Sequence, residues 1–535
     1  MKPRLALPRR DFLKTGAAVG AGLLASPSLS LGADAKTLRF VPQANLANLD
    51  PIWTTQYVVR NGSLLFWEQL YGVDTNLQPQ PQMAEGHEVT PDFKTWTFKL
   101  REGLKFHDGA PVLARDAVAS IKRWAARDTM GAILRRNLDA FEIIDDRSFR
   151  IRMNQPFPKM LFALGKGSTP ACFIMPERIA NTDPFKQISE YVGSGPMRFR
   201  TDEWVPGARA VFTKFDGYQP RPEPASWLAG GRRMYLDRIE WLIQPDPATA
   251  AAALQNNEVD WVETPSPDLV ALLAKNKSIR VDVADPLGNI GSFRLNHLHP
   301  PFNNVLARRA VQMALSQEDY MRAVVGDDET LWKPQPSYFT PGTALYSDAG
   351  GEPLKGERDY AGARKLLAEA GYNGERVVLI VATDVAITKN QGDVTADLLK
   401  KIGMNVDYQS LDWGTVGQRR AKKDPPSQGG WNIFHTWHAG ADCVNPAPYP
   451  ALDASGDTAW FGWPKSDAIQ SRIADWYSAP DIAAEKAATA AINKASMEFV
   501  TYLPTGFFQM KQAWRDSVTG VVRAPFPLFW DVKKA

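Results

Sequence analysis

Cysteine is nearly absent from this chain, with 2 among 535 residues. Two cysteines cannot cross-link a protein of this size, and no Cys-x-x-Cys pair occurs, which excludes a disulfide scaffold and a zinc ribbon. We expect Cys172 and Cys443 to be separate buried thiols. No charge-free run of 18 or more apolar residues occurs, so the sequence predicts no membrane-spanning helix. The 62 Lys and Arg residues nearly balance the 59 Asp and Glu residues, which does not indicate a nucleic-acid-binding surface.

Motifs of the common catalytic and nucleotide-binding sites are also lacking. The sequence contains no P-loop, no Gly-x-Gly-x-x-Gly, no Gly-x-Ser-x-Gly and no His-Glu-x-x-His. His435 and His438 are three residues apart, but the preceding segment 431–434 has the pattern of a strand. Positions three apart on a strand face opposite sides, so one metal ion cannot easily reach both. We therefore predict no enzymatic activity, no cofactor and no metal site.

The first 35 residues have the pattern of an export signal. Arg9 and Arg10 are followed by Phe-Leu-Lys at 12–14, a Gly/Ala/Leu stretch at 15–25 and a small-residue site at 33–35. The arginine pair is typical of twin-arginine signals, and a general secretory signal that contains two arginines is the alternative. Cleavage after residue 35 would remove five basic and two acidic residues and leave a net charge of 0. With no cysteine near the cleavage site, we expect a soluble periplasmic protein without a lipid anchor.

Strand and helix patterns interleave along the rest of the chain. Alternating apolar residues predict strands at 96–100, 149–153 and 377–381. Asp359 is placed to cap a helix that Gly371 would end. The length of the chain predicts about two to four domains. The interleaving favours α/β or α+β units over an all-β sandwich or a helical bundle.

Recognisable landmarks occur along the chain at 79–85, 96–103, 106–109, 193–199, 301–302 and 363–372. Together these segments resemble the signature of the oligopeptide- and dipeptide-binding family of bacterial transporter solute receptors. Each also has a structural explanation, such as a turn or a capped helix, so they identify a scaffold and do not themselves bind a ligand. The resemblance extends over essentially the whole expected mature chain and keeps the order of the family.

The resemblance implies an α/β fold of the two-lobed periplasmic-binding-protein (Venus-flytrap) type, with an extra α+β domain inserted in the first lobe. Matching the landmarks assigns residues 36–78, 194–292 and 506–535 to lobe I. The inserted domain would comprise residues 79–193, and lobe II residues 293–505. Three crossings of the chain between the lobes would form a hinge, and closure would bury the ligand.

The resemblance also implies a ligand site in lobe II. In relatives that bind peptides, an Asp in a loop of the form Asp-x-x-x-Pro, after a Trp-containing strand, holds the α-ammonium group of the ligand. Asp442 has this spacing after Trp437, and Asn445 lies in the same loop. A buried ammonium needs an ionised partner, which a short carboxylate can supply. The alternative is that Asp442 only caps its own loop through an Asx-turn.

Further candidates follow from the same resemblance. Trp413 and Arg420 match a Trp-x6-Arg feature in which the Trp forms a pocket wall and the Arg meets an anionic ligand group. A solvated Arg within the basic run 419–423 is the alternative. The remaining candidates are Thr55, Gln56, Tyr57 and Trp460. For Trp460 the alternative is a place in the core, where a tryptophan near a glycine turn often lies.

The implied function is that of a monomeric periplasmic receptor that delivers a peptide or peptide-like ligand to an inner-membrane ABC permease. No nucleic-acid partner and no stable membrane insertion are expected. Opines, oligosaccharides and metal chelates also bind to this scaffold, and a fold does not determine function. An enzyme exported by the twin-arginine route is the alternative from another class, although the sequence lacks nucleotide, haem and metal motifs.

Overall fold

The computed structural model describes residues 36–447, 449–479 and 481–535. The predicted export signal at 1–35 lies outside the described residues. No helix within the described ranges has the length and apolar character needed to cross a membrane. Cys172 and Cys443 are buried and unbridged, which confirms that the thiols are separate.

Lobe I, as the structure defines it, is built on a seven-stranded mixed sheet. The strand Thr37–Val41 lies at the centre of this sheet and pairs in parallel with a strand on each side. Leu38 and Phe40 are fully buried, as expected for a strand covered on both faces. In spatial order the strands are Met197–Phe199, Arg209–Lys214, Arg238–Leu242, Thr37–Val41, Trp261–Val262, Lys511–Arg515 and Ile279–Val283.

Lobe II is built on a six-stranded sheet. The strand predicted at 377–381 is confirmed as Arg376–Ala382, and only its first residue is exposed. It pairs in parallel with Asn405–Leu411 through the connecting helix Ala386–Lys401. In spatial order the strands are Trp332–Lys333, Leu503–Phe508, Asn289–Leu295, Ile433–Ala439, Arg376–Ala382 and Asn405–Leu411.

The inserted domain carries a four-stranded antiparallel sheet. The strands predicted at 96–100 and 149–153 are confirmed as Thr95–Leu100 and Ser148–Met153, which pair at its centre. Ala84–Val89 and Leu138–Ile143 form the two edges. Helix Ala114–Ala125 covers one face of this sheet.

Helices begin and end where the local sequence predicts. Asp359 caps the helix Tyr360–Glu369, since its side chain accepts a hydrogen bond from the N–H of Gly362, and Gly371 follows this helix with a φ of 80°. The remaining described helices are Tyr57–Phe66, Thr129–Asn137, Met160–Gly165, Glu177–Ala180, Pro247–Gln255, Pro267–Leu273, Val305–Ala314, Gln317–Val325, Trp413–Arg419, Asp467–Tyr477 and Ile482–Phe499. Short two-stranded pairs join Glu68–Gln69 to Phe173–Ile174, Tyr71–Val73 to Pro79–Pro81, and Val518–Thr519 to Lys533–Lys534.

Two neighbouring crossings of the chain connect the large sheets. One comprises residues 284–288 and the other residues 509–510. Gln509 Nε2 donates a hydrogen bond of 3.3 Å to the carbonyl oxygen of Asp285, which holds the two crossings together. The expected lobe boundaries after residues 292 and 505 fall inside paired strands of lobe II. Because these strands pair within the sheet of lobe II, the chain passes between the lobes at residues 284–288 and 509–510. The landmark residues alone could not locate these crossings.

Candidate functional site

A small cavity of about 40 Å³ lies between the lobes. Eight of the nine predicted ligand-binding residues line it, although they come from segments more than 350 positions apart in the chain. The lining residues from this set are Thr55, Gln56, Tyr57, Trp413, Arg420, Trp437, Asp442 and Trp460.

Asn445 is the exception, because it does not line this cavity. Its side-chain oxygen accepts a hydrogen bond of 3.0 Å from the N–H of Ala447. Asn445 therefore forms the local side-chain-to-backbone turn that was the alternative considered for Asp442. Its role in ligand binding stays a prediction, and the spacing of a loop does not show which of its polar residues turns inward.

Asp442 lies in the short 3-10 turn Gly440–Cys443, directly after the strand Ile433–Ala439. It is 5% exposed, and its Oδ2 accepts a hydrogen bond of 2.7 Å from the hydroxyl of Tyr57. Its Oδ1 has no hydrogen-bond partner within the described residues. Burial raises the pKa of Asp442, while the nearby positive charge of Arg60 acts to lower it. A buried carboxylate oxygen without a partner is well suited to a cationic group of a ligand.

Tyr57 connects the two lobes. It is the first residue of the helix Tyr57–Phe66 in lobe I, and its hydroxyl also accepts a hydrogen bond of 2.8 Å from the N–H of Ala439 in lobe II. Burial, and then the charge of Asp442, raises the pKa of the phenol well above its usual value. The hydroxyl therefore keeps its proton and donates a hydrogen bond to the carboxylate.

Arg420 supplies the opposite charge. It is 3% exposed and follows the helix Trp413–Arg419, so it is not the solvated member of the basic run. Its Nη2 donates a hydrogen bond of 3.3 Å to Oγ1 of Thr55, and its Nε has no partner within the described part of the chain. Burial lowers the pKa of Arg420 to about 10, which still leaves it charged at neutral pH. A buried guanidinium with a free N–H can bind an anionic group.

Aromatic rings surround this guanidinium. Its carbon lies 4.7 Å from the ring centroid of Phe461 and 5.5 Å from those of Trp413 and Trp460. Trp413 in turn stacks on Trp437, with centroids 6.1 Å apart and ring planes 24° apart. These rings exclude water from the site and fix the orientation of the arginine.

Arg294 fixes the segment that carries two of these rings. It is fully buried in the strand Asn289–Leu295 and donates hydrogen bonds to the carbonyl oxygens of Phe461, Ala451 and Thr501. Its guanidinium also lies 5.1 Å from the ring centroid of Trp460. Arg294 belongs to no recognisable sequence motif, so the sequence did not indicate this supporting role.

Other residues that line the cavity were missed. Gln43 lies two residues after the central strand of lobe I, and Thr436 is adjacent to Trp437. Ligands of α/β sheets bind at the carboxyl ends of parallel strands, and this rule could have identified the position of Gln43. The complete set of missed residues is Gln43, Ala44, Val58, Thr169, Thr436, His438 and Pro450.

The titratable groups next to the cavity do not form an activated nucleophile. Burial lowers the pKa of His438 to about 3 and raises that of Cys443 well above its usual value. Both side chains are therefore neutral, unlike the thiolate–imidazolium pair of cysteine-dependent enzymes. His435 projects to the opposite face of the strand, where its Nε2 lies 2.8 Å from Oγ1 of Thr395. Among the described residues, no group of His, Cys, Asp and Glu side chains could hold a metal ion.

Known proteins similar to this chain share its architecture. A curated relative from Sinorhizobium fredii (strain NBRC 101917 / NGR234), named "Probable peptide ABC transporter periplasmic-binding protein y4tO", is 36% identical over 99% of this chain and 100% of its own length. DppA from Helicobacter pylori, solved in complex with the peptide STSA, superposes with a TM-score of 0.78 at 21% identity, over 94% of this chain and 100% of its own. AgaA from A. tumefaciens R10, solved with agropinic acid, gives a TM-score of 0.77 at 22% identity, over 93% and 99%.

These structures confirm the predicted two-lobed α/β fold of periplasmic binding proteins. The middle-region model of the bacterial extracellular solute-binding proteins, family 5, matches residues 78–457. This match covers the inserted domain and most of lobe II, including Arg420 and Asp442. The chain therefore belongs to the bacterial extracellular solute-binding proteins of family 5.

Proposed function

We propose that this protein is a periplasmic receptor that binds a peptide or peptide-like ligand between its lobes and delivers it to an inner-membrane ABC permease. The observation that carries the proposal is the placement of a buried carboxylate and a buried guanidinium, those of Asp442 and Arg420, on one cavity. A peptide carries an ammonium and a carboxylate, so it offers a partner to each. The name of the Sinorhizobium fredii relative supports a peptide as the ligand.

Asp442 would hold the ammonium group. Its Oδ2 is fixed by the hydroxyl of Tyr57, and its Oδ1 is buried without a partner. An ionised carboxylate in such a position is costly unless it meets a positive charge, and an ammonium group supplies that charge together with hydrogen-bond donors. Binding would thus supply Oδ1 of Asp442 with a hydrogen-bond donor and favour the ionised form of the carboxyl group.

Arg420 would hold the carboxylate of the ligand. Within the described residues its aromatic surroundings offer no acid as a counter-ion, and Thr55 supplies one neutral acceptor. The planar guanidinium keeps a free N–H at Nε and has the geometry that matches a carboxylate. Trp413 and Trp437 would pack against the part of the ligand between its two charged groups.

An amino-acid-derived ligand other than a peptide is the second candidate. The neighbour AgaA was solved with agropinic acid, and a carboxylate of such a compound would also suit Arg420. A peptide is favoured because Asp442 adds a site for a free ammonium group. A catalytic role has less support, because His438 and Cys443 next to the cavity are both neutral at physiological pH and do not form an activated nucleophile.

The most direct experiment identifies the natural ligand. The protein is purified from periplasm without refolding, and the small molecules that it retains are analysed by mass spectrometry. A peptide, or another compound with both an ammonium and a carboxylate, would support the proposal. A retained sugar or metal chelate without an ammonium group would contradict it.

A further inference from the structure

A buried cation lies behind the predicted ammonium site. Arg60 is 3% exposed and occupies the helix Tyr57–Phe66, one turn after Tyr57. Its guanidinium carbon lies 4.5 Å from the ring centroid of Tyr57, whose hydroxyl donates the hydrogen bond to Oδ2 of Asp442. Tyr57 therefore contacts the cation through the face of its ring and the carboxyl group of Asp442 through its hydroxyl.

Within the described part of the chain, the charge of Arg60 is not neutralised by a contact with an acid. Its Nε and Nη2 donate hydrogen bonds of 3.2 and 3.1 Å to Oδ1 of Asn61, which is a neutral acceptor. Its Nη1 has no hydrogen-bond partner among the described residues. The ring centroid of Phe526 lies 4.8 Å from the guanidinium carbon. A buried cation held by neutral groups acts on every acid near it, because its field is only weakly screened.

Three acids from different parts of the molecule face this cation. Asp442 comes from lobe II, Glu263 from lobe I, and Asp285 from the crossing between them. Burial raises the pKa of each carboxyl group, and the charge of Arg60 acts to lower it. Asn61 connects Arg60 to Glu263, because its Nδ2 donates a hydrogen bond of 3.2 Å to Oε1 of the glutamate. The positive charge of Arg60 is therefore shared by three acids.

The other titratable groups around Asp442 supply no free cation within the described residues. Lys166 of the inserted domain also acts to lower the pKa of Asp442, but its Nζ is paired with Oδ2 of Asp128 at 2.7 Å. The remaining groups are neutral, because burial raises the pKa of a phenol and a thiol and lowers that of an imidazole. These groups belong to Tyr57, Cys443 and His438. Arg60 is therefore the cation that acts on Asp442 without an acid bound to it.

We propose that Arg60 is a positioning residue of the ligand site, which keeps the carboxyl group of Asp442 ionised and so prepares it for an ammonium group. The inference rests on the proposed function, because it explains how the ammonium site stays charged before a ligand arrives. Arg60 does not line the cavity, so it acts through its charge and through the ring of Tyr57. A cation on the face of a phenol ring also makes the hydroxyl a stronger donor, which favours the ionised carboxylate.

The pH profile of ligand binding tests this role. Calorimetry measures the affinity for alanylalanine between pH 5 and 8 in wild type and in Arg60→Met, which removes the charge and keeps an unbranched side chain. Without the cation the pKa of Asp442 should rise, so the site should lose its charge at a higher pH. Arg60→Met should therefore bind about 10-fold or more weakly than wild type at pH 5 and within about threefold of it at pH 8. An equal loss at both pH values would show that Arg60 only packs against Tyr57, and would overturn the assignment.

Further variants separate the charge of Arg60 from its packing. Arg60→Lys keeps the charge and should retain the pH profile of wild type. Arg280→Met removes a positive charge from an exposed position of the same lobe and should change neither the affinity nor the profile. If Arg60→Met does not fold, Arg60→Gln removes the same charge and keeps an N–H donor for Asn61. A profile of Arg60→Lys that matches Arg60→Met would contradict a role for the charge.

A measurement without ligand separates this inference from the proposed function. The difference in free energy of unfolding between wild type and Asp442→Asn depends on pH through the carboxyl group of Asp442. This difference should change at a higher pH when both proteins also carry Arg60→Met. If that shift occurs and alanylalanine does not bind to wild type, the assignment of Arg60 stands and the peptide proposal fails. If alanylalanine binds and the shift is absent, Arg60 does not act on Asp442 and the receptor proposal stands.

Discussion

The hydroxyl of Tyr57 lies 2.7 Å from Oδ2 of Asp442, and this hydrogen bond connects lobe I to lobe II. The same hydroxyl accepts a hydrogen bond from the N–H of Ala439, so one side chain of lobe I contacts two groups of lobe II. This side chain therefore joins the two lobes beside the cavity. It also holds Asp442 in the orientation that leaves Oδ1 available to a ligand.

Tyr57→Phe should weaken ligand binding while leaving the fold intact. The substitution removes a hydrogen bond to a buried charged group, which we expect to cost about 10- to 100-fold in affinity. Calorimetry measures the affinity, and small-angle scattering should show less compaction on addition of ligand than for wild type. Tyr235→Phe, at a position that is 44% exposed, is the control. Unchanged affinity and compaction in Tyr57→Phe would show that the hydrogen bond does not support binding.

Arg420→Gln should weaken the binding of a peptide with a free carboxylate by more than about 30-fold, because it removes the cation that faces this group. The same substitution should have little effect on the binding of the corresponding C-terminal amide. Lys422→Gln removes one positive charge at an exposed position nearby and should not change either affinity. Calorimetry with the acid and the amide forms of the peptide measures how much of the affinity depends on the pairing of Arg420 with the ligand carboxylate. An equal loss for acid and amide would show that Arg420 acts through packing and not through the ligand carboxylate.

Stability should depend on pH through Glu263. This residue is 7% exposed, and burial raises its pKa to about 7, although the N–H of Gln43 donates to it. The folded state therefore binds a proton more tightly than the unfolded chain, whose glutamates titrate at about 4.3. The contribution of Glu263, about 4 kcal/mol, is fully present below pH 4 and is lost as pH rises through about 7. Denaturant unfolding between pH 4 and 8 measures the free energy of unfolding of wild type and of Glu263→Gln. The difference between the two proteins should change with pH as this contribution is lost.

The control for this prediction is Glu258→Gln, which changes an exposed carboxyl on the same lobe. Its pH profile should parallel that of wild type. Other buried groups also titrate, so the informative quantity is the difference between Glu263→Gln and wild type. A difference that does not vary with pH would contradict the raised pKa of Glu263.

The recognisable landmarks of the sequence predicted the scaffold. The resemblance to the family suggested Asp442, Trp437 and Arg420 as ligand-binding residues, and the structure brings all three to one cavity. Gln43 was missed because a lone polar residue after a strand has no distinctive pattern. Asn445 was also predicted to bind the ligand, but it does not line this cavity, because a polar loop residue can equally satisfy its own backbone.

The missing hydrogen-bond partners of Asp442 and Arg420 could not be predicted from local patterns, because they depend on what surrounds each side chain in three dimensions. Unsatisfied polar groups are a property of packing, and no spacing of residues along the chain encodes them directly.

Export should depend on the arginine pair of the first 35 residues. Arg9→Lys combined with Arg10→Lys should leave unprocessed precursor in the cytoplasm, because the receptor of this route reads the arginines themselves. Cell fractionation followed by immunoblotting measures the distribution of precursor and mature forms. Normal processing of the double variant would indicate the general secretory route.

The binding of one dipeptide to wild type and Asp442→Asn tests the central claim most directly. Asparagine keeps the shape of the side chain and removes its charge. If Asp442 holds a ligand ammonium in the closed cleft, calorimetry should show a loss of about 30- to several-thousand-fold, with little change in the thermal unfolding temperature. An Asp442→Asn variant that binds the dipeptide within a few-fold of wild type would contradict the account.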